Sequence, residues 1–435
     1  MVGFVLDNGL RVLLLPDRNT PAVGVALHYG VGFRSEPAHH AGLAHLFEHM
    51  MFQGSGNYGP SEHARLIQAA GGGCDANTRQ DCTVYHSVLP PAALELVLSL
   101  EADRMRGPRI TRENLENQAR VIREEHLIHV AGRPYGAFPW MLPGALFPDS
   151  ENTRGGYDID GLGTIGIPEC TEFFSSYYAP GNAVLTVAGG FDPAEASTLV
   201  RRHFEPVPGG TGSAGAPAGP PPYERGVREA ADVRDVRVVD RWASLPAVAV
   251  GYRLPDPAVE LDACVDHLTL VAVLGQGRAG RLRRRLLGGA GLAVDVSMAS
   301  GLFGVPFDAR HPDLVTCLAV HTARTDAGEL VAAIDDEVRA VARGAVGDEE
   351  LARITARWTA QFHRGFADAG ARSRAAGGAE LLHGDGTLAL RLPALVGSVT
   401  PGRIAAAAER MRAAGRAVAV IEPAAQPQRA ARGRS

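Results

Sequence analysis

HLFEHMMF, residues 45–52, sets two histidines four apart with a glutamate immediately before the second. In a helix His45 and His49 share one face, and Glu48 lies three positions on from His45, so all three side chains can meet around one point. That is a ligand geometry. The alternative is an amphipathic helix whose polar face happens to carry His and Glu, and the surrounding chain has to decide.

Working outward, FVLDNGLRVLLLP (4–16) reads as two strands about an Asn8-Gly9 turn, and AVGVALHYGVGF (22–33) as a further strand. The motif helix follows and closes at Gly54. Helices are expected from about Ala92 to Met105 and from about Arg112 to Val130, the second opened by Thr111 as N-cap. TEFFSSYYAPGNAVLTVAGGFDP (171–193) then gives a helix, a turn and a buried strand. Next comes PVPGGTGSAGAPAGPPP (206–222), which has no periodicity and reads as an exposed connector.

Beyond it the pattern repeats. VAVGYRLPDPA (248–258) echoes VALHYGVGFRSEP (25–37), and AERMRAAGRAVAVIEP (408–423) echoes the strand that ends the first half. The fold class is therefore α+β: two homologous α/β half-domains, each a sheet packed with helices, at 1–205 and 223–425, joined by the 206–222 linker and trailed by a disordered tail at 426–435. Pairing His267 with His45 places Leu270 and Val271 where Glu48 and His49 stand, so the second copy keeps the shape without the metal motif.

Composition narrows the chemistry. All 43 basic residues among the 435 are Arg, so Walker, Schiff-base and Ser/Lys chemistry are excluded. A net charge of −5 points to neither nucleic acid nor an anionic membrane. Five scattered cysteines without a CxxC fit neither a disulfide framework nor a thiolate metal site, and no apolar run is long enough to span a membrane. A cytoplasmic address is expected.

A catalytic zinc takes three protein ligands and leaves a place for water, so a carboxylate must join His45 and His49. ENQARVIREEH (116–126) offers Glu124 and Glu125 among Val121, Ile122, Leu127 and Ile128. Helical phase separates the two only weakly, with a mild preference for Glu125 as the inward one. With one zinc bound, Glu48 would serve as general base and pass its proton to a leaving amine, which is peptide hydrolysis.

GLAHLFEHMMFQGS (42–55), with its glutamate before the second histidine, resembles the metal helix of the pitrilysin-type inverzincins, most closely their half-length, processing-peptidase-like members. The likeness runs through nearly all of the chain and implies a clamshell of two halves. It implies zinc on His45, His49 and Glu125, since the family's third ligand lies in an NQxxVxxxE-like stretch some 76 residues past the second histidine. Gln118 stands seven residues before Glu125, where the family often has a second acidic residue beside the metal ligands.

GGGCDANTRQDCTVYHSVLP (71–90) resembles the family's substrate-binding edge strand, to which an extended peptide adds as an extra strand. Asp75, Ala76, Asn77 and Thr78 are the expected contacts, with Asp81, Thr83 and Tyr85 also fitting; Asp75 replaces the family's usual Asn. The family's substrate-holding Arg and Tyr correspond to Leu287 and Val294 in RLRRRLLGGAGLAVDV (281–296). Neither can donate a hydrogen bond, so the resemblance implies a heterodimer in which a homologous subunit supplies the pair. The rival from another class is a non-catalytic scaffold or core subunit of a complex that retains the fold.

Three further features have plainer readings. GQGRAG (275–280) fits a dinucleotide fingerprint, but the helix after it is too short for a βαβ crossover, and a peptide-contacting loop fits better. The Arg run at 281–285 reads as a solvated face. His39, His40, His63, His86 and His126 read as surface or hydrogen-bonding residues.

Overall fold

The computed structural model describes residues 1–37, 39–147, 159, 161–209, 234–289 and 291–424. The connector expected at 206–222 lies mostly outside the described residues, and the tail expected at 426–435 wholly so.

The first half holds strands β1 (Val2–Val5), β2 (Arg11–Pro16), β3 (Val23–Tyr29), β4 (Gly73–Thr78), β5 (Thr83–Leu89) and β6 (Ala183–Gly189). Its helices are α1 (Leu43–Met50), α2 (Glu62–Ala69), α3 (Leu94–Arg106), α4 (Arg112–His126), α5 (Phe138–Leu146), α6 (Ile167–Tyr177) and α7 (Pro193–Phe204). The second half holds β7 (Arg234–Asp240), β8 (Ala247–Arg253), β9 (Asp295–Ser300), β10 (Leu314–Val320) and β11 (Arg416–Pro423). With them are α8 (Leu261–Gly275), α9 (Arg281–Arg283), α10 (Ala327–Ala342), α11 (Asp348–Phe366), α12 (Ala369–His383), α13 (Leu388–Gly397) and α14 (Pro401–Ala413).

The strand orders are β1-β2-β6-β3-β5-β4 and β7-β11-β8-β10-β9. In each sheet the last strand of the half returns to lie beside an early one in parallel, β6 with β2 and β11 with β7, while the other pairs are antiparallel. β4 and β9 occupy corresponding edges. The duplication read from the sequence is thus a duplication of topology.

β3 and β6 are buried along their whole length, which their near-continuous apolar sequences require of strands covered on both faces. One face of the first sheet packs on α1, α3 and neighbouring helices through a core that includes Leu27, Tyr29, Phe47, Met50 and Leu98. The other face is covered by α12, a helix of the second half, through Leu13, Val184, Ala376 and Leu381. Reciprocally, α5 of the first half lays Leu142 and Leu146 on Ala247, Ala249, Ala417 and Ala419 of the second sheet. Each half therefore completes the other's sandwich. Gly24 shows how close this approach is: a Cβ there would lie 2.4 Å from the carbonyl oxygen of Ala369.

Candidate metal and peptide site

Helix α1 is only eight residues long and presents a divided surface. Leu43, Ala44, Leu46, Phe47 and Met50 are buried, and Phe47 lies against Phe173, Phe174 and Tyr178 with ring centroids 5.8, 5.9 and 4.8 Å away. This anchoring leaves His45, Glu48 and His49 on the opposite side. The helix start is fixed by Glu36, whose carboxylate accepts the backbone N–H groups of Gly42 at 2.9 Å and Ala44 at 2.8 Å. A carboxylate there satisfies orphan donors and suits the positive end of the helix dipole. Gly42 itself has φ 88°, a left-handed turn that glycine adopts without steric cost.

Helix α4 crosses α1. Thr111 caps it by accepting from the Asn114 N–H at 3.2 Å, and Leu115, Gln118, Ala119 and Ile122 form its buried stripe. Glu125 continues that stripe one turn on, whereas Glu124 is exposed. The apolar surroundings expected for both carboxylates do not extend past Ile122. Leu127 and Ile128 are 52% and 61% exposed, so burial is not what turns Glu125 inward; its place on the α1-facing stripe is.

The three predicted ligands meet. Ligand atoms of His45, His49 and Glu125 all lie within 4.8 Å of one another, and Glu125 Oε2 is 3.7 Å from His45 Nε2 and 3.5 Å from His49 Nε2. Ligands of a tetrahedral ion with bonds of ~2.0–2.1 Å stand about 3.3 Å apart, and the two carboxylate–imidazole separations lie near that value. Burial, reinforced by the neighbouring His49, lowers the His45 imidazole to about 3, leaving it neutral and able to donate its lone pair. Gln118 Oε1 lies 3.2 Å from His49 Nδ1, an acceptor that keeps the proton on Nδ1 and the lone pair on Nε2.

Glu48 is half-buried beside this group. Its Oε2 accepts the Thr78 hydroxyl at 2.5 Å, and burial raises its affinity for a proton, opposed by that hydrogen bond and by His49. A carboxylate with raised basicity next to a metal trio suits proton abstraction from water.

The strand expected to receive substrate is a hairpin, and only its first arm is at the edge. β4 pairs with β5 alone, so one side of Asp75, Ala76, Asn77 and Thr78 is free among the described residues. Asp81, Thr83 and Tyr85 correct the expectation. They lie in the turn and in β5, which is paired on both sides, and they are 1%, 0% and 1% exposed. Thr83 instead gives its hydroxyl to Val31 O at 2.9 Å, and Tyr85 lies under the Arg104 guanidinium at 4.3 Å. Asp75 accepts the Ala76 N–H at 2.9 Å, a bond an Asn oxygen would make equally well.

Leu287 is packed at the margin of the second core, and Val294 is 48% exposed. Gly275 ends α8 instead of following a strand, which removes the dinucleotide reading of residues 275–280. The Arg run is a solvated face whose charges are paired within the chain: Arg281, the most buried, binds Glu350 and Glu337, Arg284 binds Glu350, and Arg285 binds Asp336. His63 is no surface residue either, lying 3.4 Å from the buried Glu101 that also binds Arg104. Glu101 and Arg104 stand three apart on α3, a spacing the sequence does show, but the approach of His63 to them depends on tertiary packing, and the Glu36 cap on the turn at Gly42.

Comparison with known proteins agrees with this architecture. Residues 11–130 match the family described as Insulinase (Peptidase family M16), and residues 166–357 match the one described as Peptidase M16 inactive domain. The "Zinc protease PqqE" of Helicobacter pylori is 27% identical over 286 residues, 65% of this chain and 62% of that protein, so the match spans less than two thirds of the relative's length. Among solved structures, a protease from Helicobacter pylori superposes with a TM-score of 0.87 at 20% identity, covering 97% of this chain and 99% of that one. The first half of the periplasmic protease PqqL from Escherichia coli does so with a TM-score of 0.73 at 18% identity, covering 97% and 91%. The chain belongs to the M16 peptidase family, the insulinase and pitrilysin type, as a two-domain, half-length member.

Proposed function

We propose that the chain is a zinc metalloendopeptidase subunit acting on short or unfolded peptides, with precursor or leader processing as its narrower role. The observation that carries this is the convergence of His45, His49 and Glu125 with Glu48 alongside. Two imidazoles and a carboxylate, with Gln118 orienting one of them, form a donor set suited to one zinc per chain. When bound, zinc supplies Lewis-acid chemistry, making water acidic near neutrality and polarising a peptide carbonyl.

The protein's own residues do the rest. Glu48, held by Thr78, takes the proton of the attacking water and delivers it to the departing amine. The free edge of β4 offers backbone N–H and C=O groups to an extended peptide, setting its direction and register, while alternate side chains are left for recognition. Leu287 and Val294 offer no hydrogen bond to a developing oxyanion. This supports a heterodimer in which a homologous subunit brings the Arg/Tyr pair, and the isolated chain is expected to be weak or inactive.

Among the described residues no helix is long and apolar enough to cross a membrane. The five unpaired thiols support the cytoplasm as the compartment. Recovery of the chain in the periplasm on cell fractionation would reverse that assignment.

The test is co-production with a homologous partner, followed by peptide cleavage and zinc analysis of wild type and Glu48→Gln. Zinc retained with cleavage reduced about 10²- to 10⁴-fold is expected for loss of a general base. Normal cleavage by Glu48→Gln refutes the mechanism, and full-rate cleavage by the isolated chain refutes the partner requirement.

A further inference from the structure

The two halves enclose a cleft of about 870 Å³. One wall is the face of the first sheet turned away from the metal helix, where Asp75 and Asn77 of β4 lie beside Val84 and His86 of β5. The alternation of β4 is strict: Cys74 and Ala76 turn to the first core and Thr78 to Glu48, while Asp75 and Asn77 turn to the cleft.

The opposite wall comes from α11. Trp358, Phe362 and Phe366, spaced four residues apart, stack as a ladder with ring centroids 5.4 and 4.4 Å apart and planes inclined by 21° and 20°. All three line the cleft and all are only half-buried, so the ladder keeps apolar surface facing it. Gly365 lies on the same wall, and a Cβ added there would meet nothing within 4 Å. The wall thus has room that the chain itself does not fill. Arg374, 3.3 Å from His86, supplies a polar margin.

We propose that this cleft is a specificity pocket that takes an aromatic or large aliphatic side chain of the peptide held on β4, an inference that rests on the edge-strand reading above. An added strand alternates as β4 does. Side chains on the Thr78 side face the metal trio, and the intervening ones fall on the Asp75 and Asn77 side, where the cleft opens. There the ladder offers offset ring stacking in addition to area burial. The selected residue is one of those alternating with the metal-facing positions, and the second half, which lacks the metal motif, determines substrate choice.

The test uses the zinc-loaded chain co-produced with its homologous partner and an extended-peptide library randomised one position at a time. Wild type is expected to prefer Phe, Trp or Leu over Ala at one position by roughly ten- to hundredfold in kcat/KM. Phe362→Ala is expected to collapse that ratio towards one. Gly365→Phe, which fills the open space while improving helix propensity, is expected to do the same with zinc content and melting temperature kept. Binding of the Phe and Ala peptides to Glu48→Gln, followed by fluorescence polarisation, separates the two levels of failure. Cleavage with no apolar preference, or with one that both variants preserve, overturns the pocket alone. Peptides that are neither bound nor cleaved overturn the edge-strand reading and the pocket with it.

Discussion

Helices α1 and α8 occupy corresponding places in the two halves, yet one carries chemistry and the other only packing. In α1, His45, Glu48 and His49 are half-buried and face a space shared with Glu125. In α8 the corresponding His267 is 1% exposed with Nδ1 2.7 Å from the Ala263 carbonyl of its own helix, and Leu270 and Val271 are 0% and 6% exposed within the second core. The same slot either completes a core or holds three polar groups at a cost in desolvation. That cost is visible in the first half, where burial lowers the His45 imidazole and raises the Glu48 carboxyl. In the corresponding slot of the second half only His267 bears such a cost, burial lowering its imidazole, and that half contributes surfaces: α12 over the first sheet and the ladder of α11 over the cleft.

The strongest way to break this comparison is to make α1 resemble α8. Glu48→Leu combined with His49→Val removes one ligand and the proposed base together, and zinc binding and peptide cleavage are both expected to disappear. The fold is expected to survive with an unchanged or higher melting temperature, because two desolvated polar groups give way to apolar ones. Metal analysis and calorimetry on the same preparation decide it, and a variant that keeps stoichiometric zinc shows that the trio is not the site.

The reverse substitution is expected to act on stability alone. Leu270→Glu places a carboxylate at a fully buried position of the second apolar core, at a cost of about 3–5 kcal/mol. No metal is gained, since Val271 still stands where His49 supplies a ligand in α1. Chemical denaturation reads the loss. A change below about 1 kcal/mol would mean that the helix can turn its new charge to water, and that the two slots are less alike than their topology suggests.

The parts of this architecture that were legible in the sequence are those written in local spacing. The His45, Glu48 and His49 pattern, the Thr111 cap, the buried strands and the echo between the halves all follow from short-range periodicity. Choosing between Glu124 and Glu125 was harder, because it depends on which face of α4 meets α1; helical phase separated them only weakly, the family spacing favoured Glu125, and Leu127 and Ile128, expected to enclose both, face outward. The exchange of α5 and α12 between the sheets was not legible. Each helix is an ordinary amphipathic segment whose partner lies in the other half, and close approaches such as Gly24 and Gly377 for α12 and Gly251 for α5 mark the contact only once the halves are together. The edge strand was legible through the resemblance, whereas its alternation towards metal and cleft and its partner wall on α11 were not, since some 280 residues separate the two walls.

The smallest expected effect lies where the halves meet. Asp308, on the loop between β9 and β10, accepts from Arg79 Nε at 2.8 Å, one residue past the Thr78 that holds Glu48. Burial pushes its carboxyl up from 3.8 to about 6, outweighing the adjacent guanidinium, and Asp313 and Asp81 push in the same direction. The folded chain therefore holds this proton to higher pH than the unfolded chain does. Its contribution to stability is full below pH 3.8 and is lost as pH rises through about 6. Asp308→Asn cannot titrate, so the melting temperature of wild type minus that of the variant is expected to fall between pH 4 and 6.5, by roughly 2 °C or more. The side chain retains 24% exposure, which screens the effect and keeps it small. Other carboxyls titrate in both proteins and cancel in the difference. A difference that instead rises with pH would mean that the ion pair with Arg79 outweighs burial, making the contact between the halves a favourable electrostatic one at neutrality.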